Sequence, residues 1–176
     1  MDPSDFDYFL PPERIAQEPA ARRDRSRLLV VRRDRNETEE LVFSALPELL
    51  QPGDVLVLND SRVIPARLYG RRETGGTVEI LLLARRGEAD PEAQSWEARL
   101  RPARRLRPGH RIPLPGGAEA EIQERLSEKK WLVRIRTGEP FDSYLDRHGR
   151  PPLPPYIRRG PSDPGAAGDR ERYQTV

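Results

Sequence analysis

Four polar residues able to bind or act on a substrate follow an apolar run in the first half of the chain. Residues 55–58 are all apolar, and Asn59, Asp60, Ser61 and Arg62 come directly after them. The apolar run predicts a buried strand, and open α/β folds place their binding sites at the ends of such strands. The sequence therefore favours a site at this strand end.

The chemistry open to these residues is recognition of a sugar, a base or an anion. Asn59 and Asp60 could hydrogen-bond a sugar or a base edge, and Arg62 and Arg67 could hold a phosphate or a carboxylate with two parallel hydrogen bonds. The alternative is a domain junction, in which Asn59 and Asp60 satisfy a tight turn by hydrogen-bonding their own backbone. The sequence by itself leaves both interpretations open.

The familiar catalytic and metal-binding motifs are missing from the sequence. No glycine-rich loop is suited to a phosphate, since Gly75-Gly76 and Gly116-Gly117 are typical of hairpin turns. The two histidines, His110 and His148, lack the paired spacing of metal ligands, and there is no cysteine. We therefore expect no metal site and no thiol chemistry.

Arginine dominates the basic residues and is clustered. The chain of 176 residues has 31 lysines and arginines and a net charge of only +2, but basic clusters occupy residues 22–35, 62–72 and 99–111. The arginine side chain offers a planar fork that suits phosphate and stacks on bases. An anionic partner is one interpretation, and a heat-adapted, solvated surface is the other.

The composition also indicates where the protein works. The absence of cysteine fits a reducing compartment, and the acidic N-terminus does not resemble a secretion signal. No apolar run approaches the length of a membrane span. We expect a cytoplasmic protein that does not enter a membrane.

The first 59 residues predict the beginning of an α/β domain. Residues 28–31 and 41–43 are strand candidates, Ser44 is placed to cap a short helix over residues 45–50, and residues 55–58 form the next strand. This β-α-β order is typical of an α/β layer. We assign residues 1–59 to the first part of that domain.

Residues 60–150 predict an inserted domain of a different class. Six short strand candidates follow one another with turn signals between them and no intervening helix: residues 67–72, 77–84, 95–100, 111–114, 119–125 and 130–136. That arrangement indicates a six-stranded antiparallel β-barrel. A helix over residues 141–148 follows. Residues 151–176 begin with a proline-stiffened segment, continue as a charged loop over residues 158–172, and return to the α/β domain. The predicted fold class is thus α/β plus all-β.

Several ordered motifs resemble one enzyme family. They are Phe6, Leu10-Pro11, Ile15-Ala-Gln-Glu-Pro19, Leu58-Asn-Asp-Ser-Arg-Val-Ile-Pro-Ala-Arg-Leu-Tyr-Gly70, Gly75-Gly-Thr-Val-Glu-Ile-Leu-Leu82, Leu153-Pro-Pro-Tyr-Ile157 and Arg172-Tyr-Gln-Thr-Val176. In order and spacing they resemble the S-adenosylmethionine:tRNA ribosyltransferase-isomerases of queuosine biosynthesis. The resemblance spans essentially the whole chain, although later blocks of that family have no counterpart here.

The resemblance implies a specific reaction. The ribosyl part of S-adenosylmethionine is transferred to the aminomethyl group of 7-aminomethyl-7-deazaguanine (preQ1) at the wobble position of tRNA. It is isomerised there to give epoxyqueuosine, and adenine and methionine are released. The family's fold is an α/β domain interrupted by a β-barrel. We expect this chain to correspond to an N-terminal portion that is inactive alone, monomeric, and free of metal.

Residue roles follow as hypotheses from the motifs and the resemblance. Asp60 is the candidate catalytic residue, an acidic group that faces the sulfonium or the ribose. Candidate substrate-binding residues are Asn59, Ser61, Arg62, Arg67, Tyr156, Tyr173 and Gln174, of which Tyr156 could stack on a base. Candidate RNA-binding residues are Arg71, Arg72, Arg104, Arg105 and Arg107. The alternative function is a non-catalytic RNA-binding barrel.

Overall fold

A computed structural model describes residues 2–72, 75–87, 90–159 and 166–174. The chain divides into two compact units. The first unit comprises Met1–Asp60, Pro154–Gly165 and Val176, and the barrel unit comprises Ser61–Leu153 and Ala166–Thr175. Residues 160–165 of the loop predicted over residues 158–172 lie outside the described residues, and so do the last two residues of the chain.

The described residues of the first unit include one antiparallel hairpin and a short helix. Strand β1 (Arg27–Arg32) pairs with β2 (Glu37–Val42), in a register that places Leu28 opposite Leu41. Helix α1 (Leu46–Leu49) follows a 3-10 turn at Phe43–Ala45. No side chain caps α1, so the predicted Ser44 cap is wrong. Further 3-10 turns lie at Pro3–Phe6, Pro12–Arg14 and Arg23–Arg25.

Six strands form a single antiparallel sheet in the barrel unit. They are β3 (Arg67–Arg71), β4 (Thr77–Arg86), β5 (Ala93–Arg101), β6 (Arg111–Pro113), β7 (Glu119–Arg125) and β8 (Trp131–Arg136). Their order in the sheet is β3-β4-β5-β8-β7-β6. All six predicted strands are present, so the predicted β-barrel is confirmed.

Alternation of apolar and polar residues places the core inside this sheet. Leu68, Val78, Ile80, Val133 and Ile135 are completely buried, while their neighbours along each strand are more exposed. Side chains of a strand point alternately to its two faces, so this pattern buries one face and leaves the other in solvent. The barrel interior is therefore filled by aliphatic side chains.

The two edge strands meet at a glycine. Gly70 of β3 is buried, and a Cβ atom there would lie 2.8 Å from the Pro113 carbonyl oxygen and 2.9 Å from Leu114, with Ile112 closer still. Only a residue without a side chain permits this approach of β3 to β6. The sheet consequently curls into a nearly closed barrel.

Two helices complete the described part of the barrel unit. Helix α2 (Phe141–His148) buries Phe141, Tyr144 and Leu145, which are the apolar residues that the sequence places on one helix face. Its last turn is closed by the Gly149 N–H, which donates to the Leu145 carbonyl at 2.8 Å. Helix α3 spans Ala166–Arg172, where the sequence predicted a loop.

Candidate substrate-binding residues and a basic surface

The apolar run before the candidate site is not a strand in the described structure. Residues 55–58 pair with no described strand, and Val55 and Val57 are each 87% exposed. A strand forms only where a partner supplies its backbone hydrogen bonds, and the hairpin of β1 and β2 does not extend to this segment. The prediction of a buried strand at residues 55–58 is therefore corrected.

The cluster that follows lies on the surface. Asn59 and Asp60 belong to the first unit, and Ser61 and Arg62 to the barrel unit. All four side chains are exposed. Within the described part of the chain, Asp60 and Arg62 make no hydrogen bond or ion pair, so both remain open to a ligand.

Gln174 fixes the backbone immediately after this cluster. Its Oε1 accepts from the Val63 N–H at 2.9 Å, and its Nε2 donates to the Val63 carbonyl at 3.1 Å. The same Nε2 donates to the Arg170 carbonyl at 3.0 Å. The side-chain amide thus supplies both backbone hydrogen bonds of Val63, as a neighbouring strand would, and links Val63 to α3. These contacts give Gln174 a positioning role beside the predicted substrate-binding one.

Gln17 performs an equivalent task in the first unit. Its Nε2 donates to the Tyr156 carbonyl at 3.0 Å, and its Oε1 accepts from the Arg158 N–H at 2.8 Å. Arg159 returns a hydrogen bond to the Gln17 carbonyl at 3.0 Å and pairs with Glu18 at 3.2 Å. The backbone around Tyr156 is fixed in this way, while the Tyr156 ring is exposed.

Arg67 lies at the centre of a half-buried polar cluster in the barrel unit. Its Nη2 donates to the Leu153 carbonyl at 3.0 Å, and its Nε lies 3.8 Å from Glu79 Oε2. Tyr69 donates its hydroxyl to the same Glu79 oxygen at 3.3 Å, and the Arg150 guanidinium lies 5.4 Å from the centre of the Tyr69 ring. Burial, followed by the Glu79 charge, raises the pKa of Tyr69.

The sheet register explains why these residues meet. Tyr69 is directly opposite Glu79 in the pairing of β3 with β4, and Arg67 forms an isolated backbone bridge with Arg150. The sequence analysis identified Arg67 but missed Tyr69, Glu79 and Arg150. Arg67 and Tyr69 are two residues apart on one strand and hence share a face, which is a signal available in the sequence. The contact of Arg150 with β3 cannot be inferred from any spacing in the sequence.

The five candidate RNA-binding arginines separate into two kinds. Arg71, Arg104, Arg105 and Arg107 are exposed. Arg72 is half-buried, and its guanidinium donates to the Arg104 carbonyl at 3.0 Å and to the Pro102 carbonyl. Arg72 therefore holds a loop in place, whereas the other four present their guanidinium groups to solvent.

His148 takes a structural position, whereas the side chain of His110 is exposed. His148 packs against Tyr144, with ring centroids 4.8 Å apart, and its Nε2 would lie 2.8 Å from a Cβ at Gly116. Among the described residues, no three His, Cys, Asp or Glu side chains are grouped as metal ligands. No described helix has the length and apolar character of a membrane span.

Comparison with known proteins gives consistent matches along the whole chain. Residues 3–176 match the profile of a family described as queuosine biosynthesis protein. Curated proteins named S-adenosylmethionine:tRNA ribosyltransferase-isomerase are similar: one from Syntrophus aciditrophicus is 45% identical over 100% of this chain and 53% of its own length. Those from Geobacter sulfurreducens and Rubrobacter xylanophilus are each 47% identical, over 98% and 100% of this chain and 48% of their own lengths.

A solved structure is also similar. The crystal structure of an S-adenosylmethionine tRNA ribosyltransferase from Thermotoga maritima is 36% identical, covers 84% of this chain and 49% of its own, and superposes with a TM-score of 0.38. The chain spans about half the length of the curated relatives it matches.

Proposed function

The chain belongs to the queuosine biosynthesis protein family, and we propose that it contributes to an S-adenosylmethionine:tRNA ribosyltransferase-isomerase. The observation that carries the proposal is 45–47% identity with proteins of that name over 98–100% of this chain. The acceptor is preQ1 at the wobble position of tRNA, S-adenosylmethionine is the ribosyl donor, and no metal takes part. The protein acts as a monomer in the cytoplasm.

The reaction requires modest means from the protein, because the sulfonium already makes the ribosyl unit electrophilic. A group must remove a proton from the ribose beside the sulfonium, and the aminomethyl nucleophile must be held in position. Asp60 supplies the acidic group facing the sulfonium or ribose. Its exposed carboxylate, without a partner among the described residues, supports this role.

The neighbours of Asp60 orient the substrate in this proposal. Asn59, Ser61 and Arg62 present polar groups to sugar, base or carboxylate, and Tyr156 and Tyr173 supply rings that can stack on a base. Arg67 and Gln174 act through the backbone they hold, at Leu153 and Val63. Since the chain spans about half of its relatives' length, we propose that further catalytic groups lie beyond these residues and that the chain alone does not turn over.

The test is release of adenine from S-adenosylmethionine in the presence of preQ1-containing tRNA. This chain is compared with a full-length relative, after circular dichroism has established that both are folded. We expect release from the full-length protein and none from the chain. Release by the folded chain would place all essential groups within residues 1–176.

The role of Asp60 is tested by substitution in the full-length protein. Asp60→Asn should lower kcat by roughly a hundredfold or more, the usual contribution of a positioned acid or base. The matched control is Asp34→Asn, which changes an exposed carboxylate whose described ion pair, to Arg35, is equally exposed, and it should leave kcat unchanged. Equal kinetics for the two variants would exclude Asp60 from the chemistry.

A non-catalytic RNA-binding barrel is the second candidate function. Some exposed arginines of the barrel unit, such as Arg71, Arg104 and Arg105, have no acidic partner among the described residues, and they favour this function. It predicts salt-dependent binding of tRNA by this chain with no effect of S-adenosylmethionine on that binding. The two candidates are separated by adenine release from the full-length protein, which only the first requires.

A further inference from the structure

An uncompensated basic surface lies at one end of the barrel unit. We call it the basic face and define it by Arg99 and Arg101 at the end of β5 and Arg104, Arg105 and Arg107 in the loop that follows. All five side chains are exposed. None of them makes an ion pair or a side-chain hydrogen bond within the described ranges. The surface therefore carries positive charge without internal neutralisation.

The strand pattern fixes the orientation of the two β5 arginines. Arg99 and Arg101 alternate with the buried residues Ala98 and Leu100. Successive side chains of a strand point to opposite faces, so both arginines stand on the outer face of the sheet. In the register with β4, Arg99 is opposite Leu81 and Arg101 is opposite Glu79.

The nearest acids are already occupied. Glu79 lies 3.8 Å from Arg67 Nε and accepts from Tyr69. Glu97, which precedes the two arginines on β5, accepts hydrogen bonds from Arg86 and from Lys130, the latter at 3.3 Å. The sequence contains no acidic residue between Glu97 and Glu119. The loop thus supplies no counter-charge to the basic face, and Glu79, which is opposite Arg101, is shared with Arg67 and Tyr69.

Several arginines elsewhere on the barrel unit are paired with acids. Arg136 on β8 lies 3.2 Å from Glu121, and Arg111 on β6 lies 3.7 Å from Glu119. On α2, Arg147 pairs with Glu139. In each of these pairs a carboxylate balances the arginine charge, which is not the case for any arginine of the basic face within the described residues.

Arg72 keeps the loop of the basic face in one conformation. Its guanidinium donates to the carbonyls of Pro102 and Arg104, and Leu106 anchors the loop in the core. Arg105 adopts a left-handed backbone conformation with a φ of 70°, which is uncommon for a residue with a side chain. Arg72 is therefore a positioning residue for the exposed arginines.

We propose that the basic face binds the phosphate backbone of the RNA substrate, and that Arg72 positions it without contacting RNA. The identity of the polyanion as RNA rests on the proposed function. Arginine suits the task because its planar fork can form two hydrogen bonds with one phosphate. Phosphate contacts set the register of the protein on the nucleic acid, while recognition of the base falls to other residues.

The experiment measures binding of an unmodified tRNA transcript to the full chain over a series of salt concentrations, without S-adenosylmethionine. The double variant Arg99→Gln, Arg101→Gln should weaken binding about tenfold at low salt and reduce the slope of log K against log salt by about 1.4 to 1.8, since each phosphate contact contributes roughly 0.7 to 0.9. The charge-matched control is Arg136→Gln, Arg147→Gln, which should change the affinity less than about twofold.

The role of Arg72 is separated from its charge by a pair of variants. Arg72→Lys keeps the charge but cannot hold two carbonyls with one planar group, so it should weaken tRNA binding nearly as much as Arg72→Gln does. Both variants should leave the salt slope unchanged, because the number of phosphate contacts stays the same. Full rescue by lysine would mean that Arg72 contacts phosphate itself, and the positioning role would be lost.

Three results would overturn the proposal that the basic face binds RNA. Equal loss of affinity in the Arg99/Arg101 variant and in its control would show that net charge alone matters. Unchanged tRNA binding in the Arg99/Arg101 variant would place the RNA elsewhere, and tighter binding of polyglutamate than of tRNA would indicate an acidic protein partner. The binding experiment contains no S-adenosylmethionine, so it does not depend on the reaction. Failure of ribosyl transfer in the activity assay would refute the proposed reaction, but the binding experiment would still test the basic face.

Discussion

The two units differ in how far their apolar strand and loop residues are buried. In the barrel unit, Val78, Ile80 and Val133 are completely buried. Their neighbours along each strand are more exposed and lie on the outer face of the sheet. In the first unit, Val55 and Val57 are almost fully exposed, and Leu29 and Val31 of β1 are also exposed. Within the described residues, the barrel unit encloses its apolar strand residues, whereas these residues of the first unit are left in solvent.

The difference follows from the period of the apolar pattern. An alternating strand needs a cover on one face only, and the curled sheet of the barrel supplies that cover from its own strands. Continuous apolar runs, such as residues 28–31 and 55–58, are typical of strands covered on both faces. The resemblance implies that an α/β domain covers these runs, and this stays a prediction. The variants below test whether the two units differ in how they bury apolar residues.

The largest effect is expected from truncating a core ring of the barrel unit. Phe141 is 2% exposed and stacks on Trp96 with ring centroids 5.9 Å apart. Phe141→Ala should lower the free energy of unfolding by about 3 to 5 kcal/mol, measured in guanidinium by tryptophan fluorescence. Both tryptophans, Trp96 and Trp131, belong to the barrel unit, so the signal reports on that unit.

The matched control for this variant is in the first unit. Phe9 is 85% exposed, so Phe9→Ala should change the same unfolding transition by less than about 0.5 kcal/mol. Comparable losses from the two substitutions would mean that the first unit also has an enclosed core, and the contrast between the units would disappear.

Closure of the barrel predicts the second effect. Gly70→Ala would force a methyl group against Ile112, the Pro113 carbonyl and Leu114, and overpacking of this kind costs about 1 to 3 kcal/mol. Gly76→Ala is the control, because a Cβ there has no atom within 4 Å. Thermal unfolding followed by circular dichroism compares them, and an equally stable Gly70→Ala protein would show that the edges do not meet.

A smaller effect is expected from charges, and it depends on pH. Hydrogen bonds from Arg86 and then Lys130 hold the pKa of Glu97 below its ordinary value. A lowered folded-state pKa contributes stability above the ordinary value of 4.5, and that stability is lost as the pH falls through the lower pKa. Glu97→Gln should therefore lower the urea midpoint at neutral pH and approach wild type in acid.

The exposed pair of the first unit provides the comparison for Glu97. A hydrogen bond from Arg22 lowers the pKa of Asp24, but both side chains are largely in solvent. Exposed pairs contribute little to stability, so Asp24→Asn should leave the midpoint unchanged at both pH values. A midpoint shift as large as that of Glu97→Gln would show that solvent does not screen this pair.

The smallest effect on stability is expected where apolar residues are most exposed. Replacing Val55 and Val57 together by Thr should leave the tryptophan-monitored unfolding transition unchanged, because neither residue lies in the barrel unit. The same change should reduce binding of the dye ANS, which associates with exposed apolar surface. Loss of stability without loss of dye binding would mean that these valines are covered.

Much of the barrel was predictable from the sequence, because its signals are local. Alternation over residues 77–80 and glycine pairs such as Gly75-Gly76 specify strands and turns within a few positions. Strand β2 was predicted to begin at residue 41 and begins at Glu37, because Glu37 to Glu40 take their partners from β1 despite a polar composition. A strand's partner, and not its own sequence, decided that boundary.

The candidate site was less predictable because its contacts join distant parts of the chain. The Gln174 side chain hydrogen-bonds the backbone of Val63, and the Gln17 side chain hydrogen-bonds the backbone of Tyr156. No spacing in the sequence predicts either contact. The same holds for Arg72, whose carbonyl partners lie some thirty positions further along the chain. Composition identified the basic clusters, but only tertiary structure distinguishes the arginines that hold the protein together from those that face solvent.

Hydrogen exchange of the backbone amides, measured by mass spectrometry on the intact chain, tests the contrast between the units most directly. We predict slow exchange in β4, β5 and β8, which are hydrogen-bonded on both sides within the barrel sheet, and fast exchange at residues 55–58, which pair with no described strand. Protection of residues 55–58 equal to that of β5 would contradict the account, because it would show that the first unit encloses its apolar run as the barrel does.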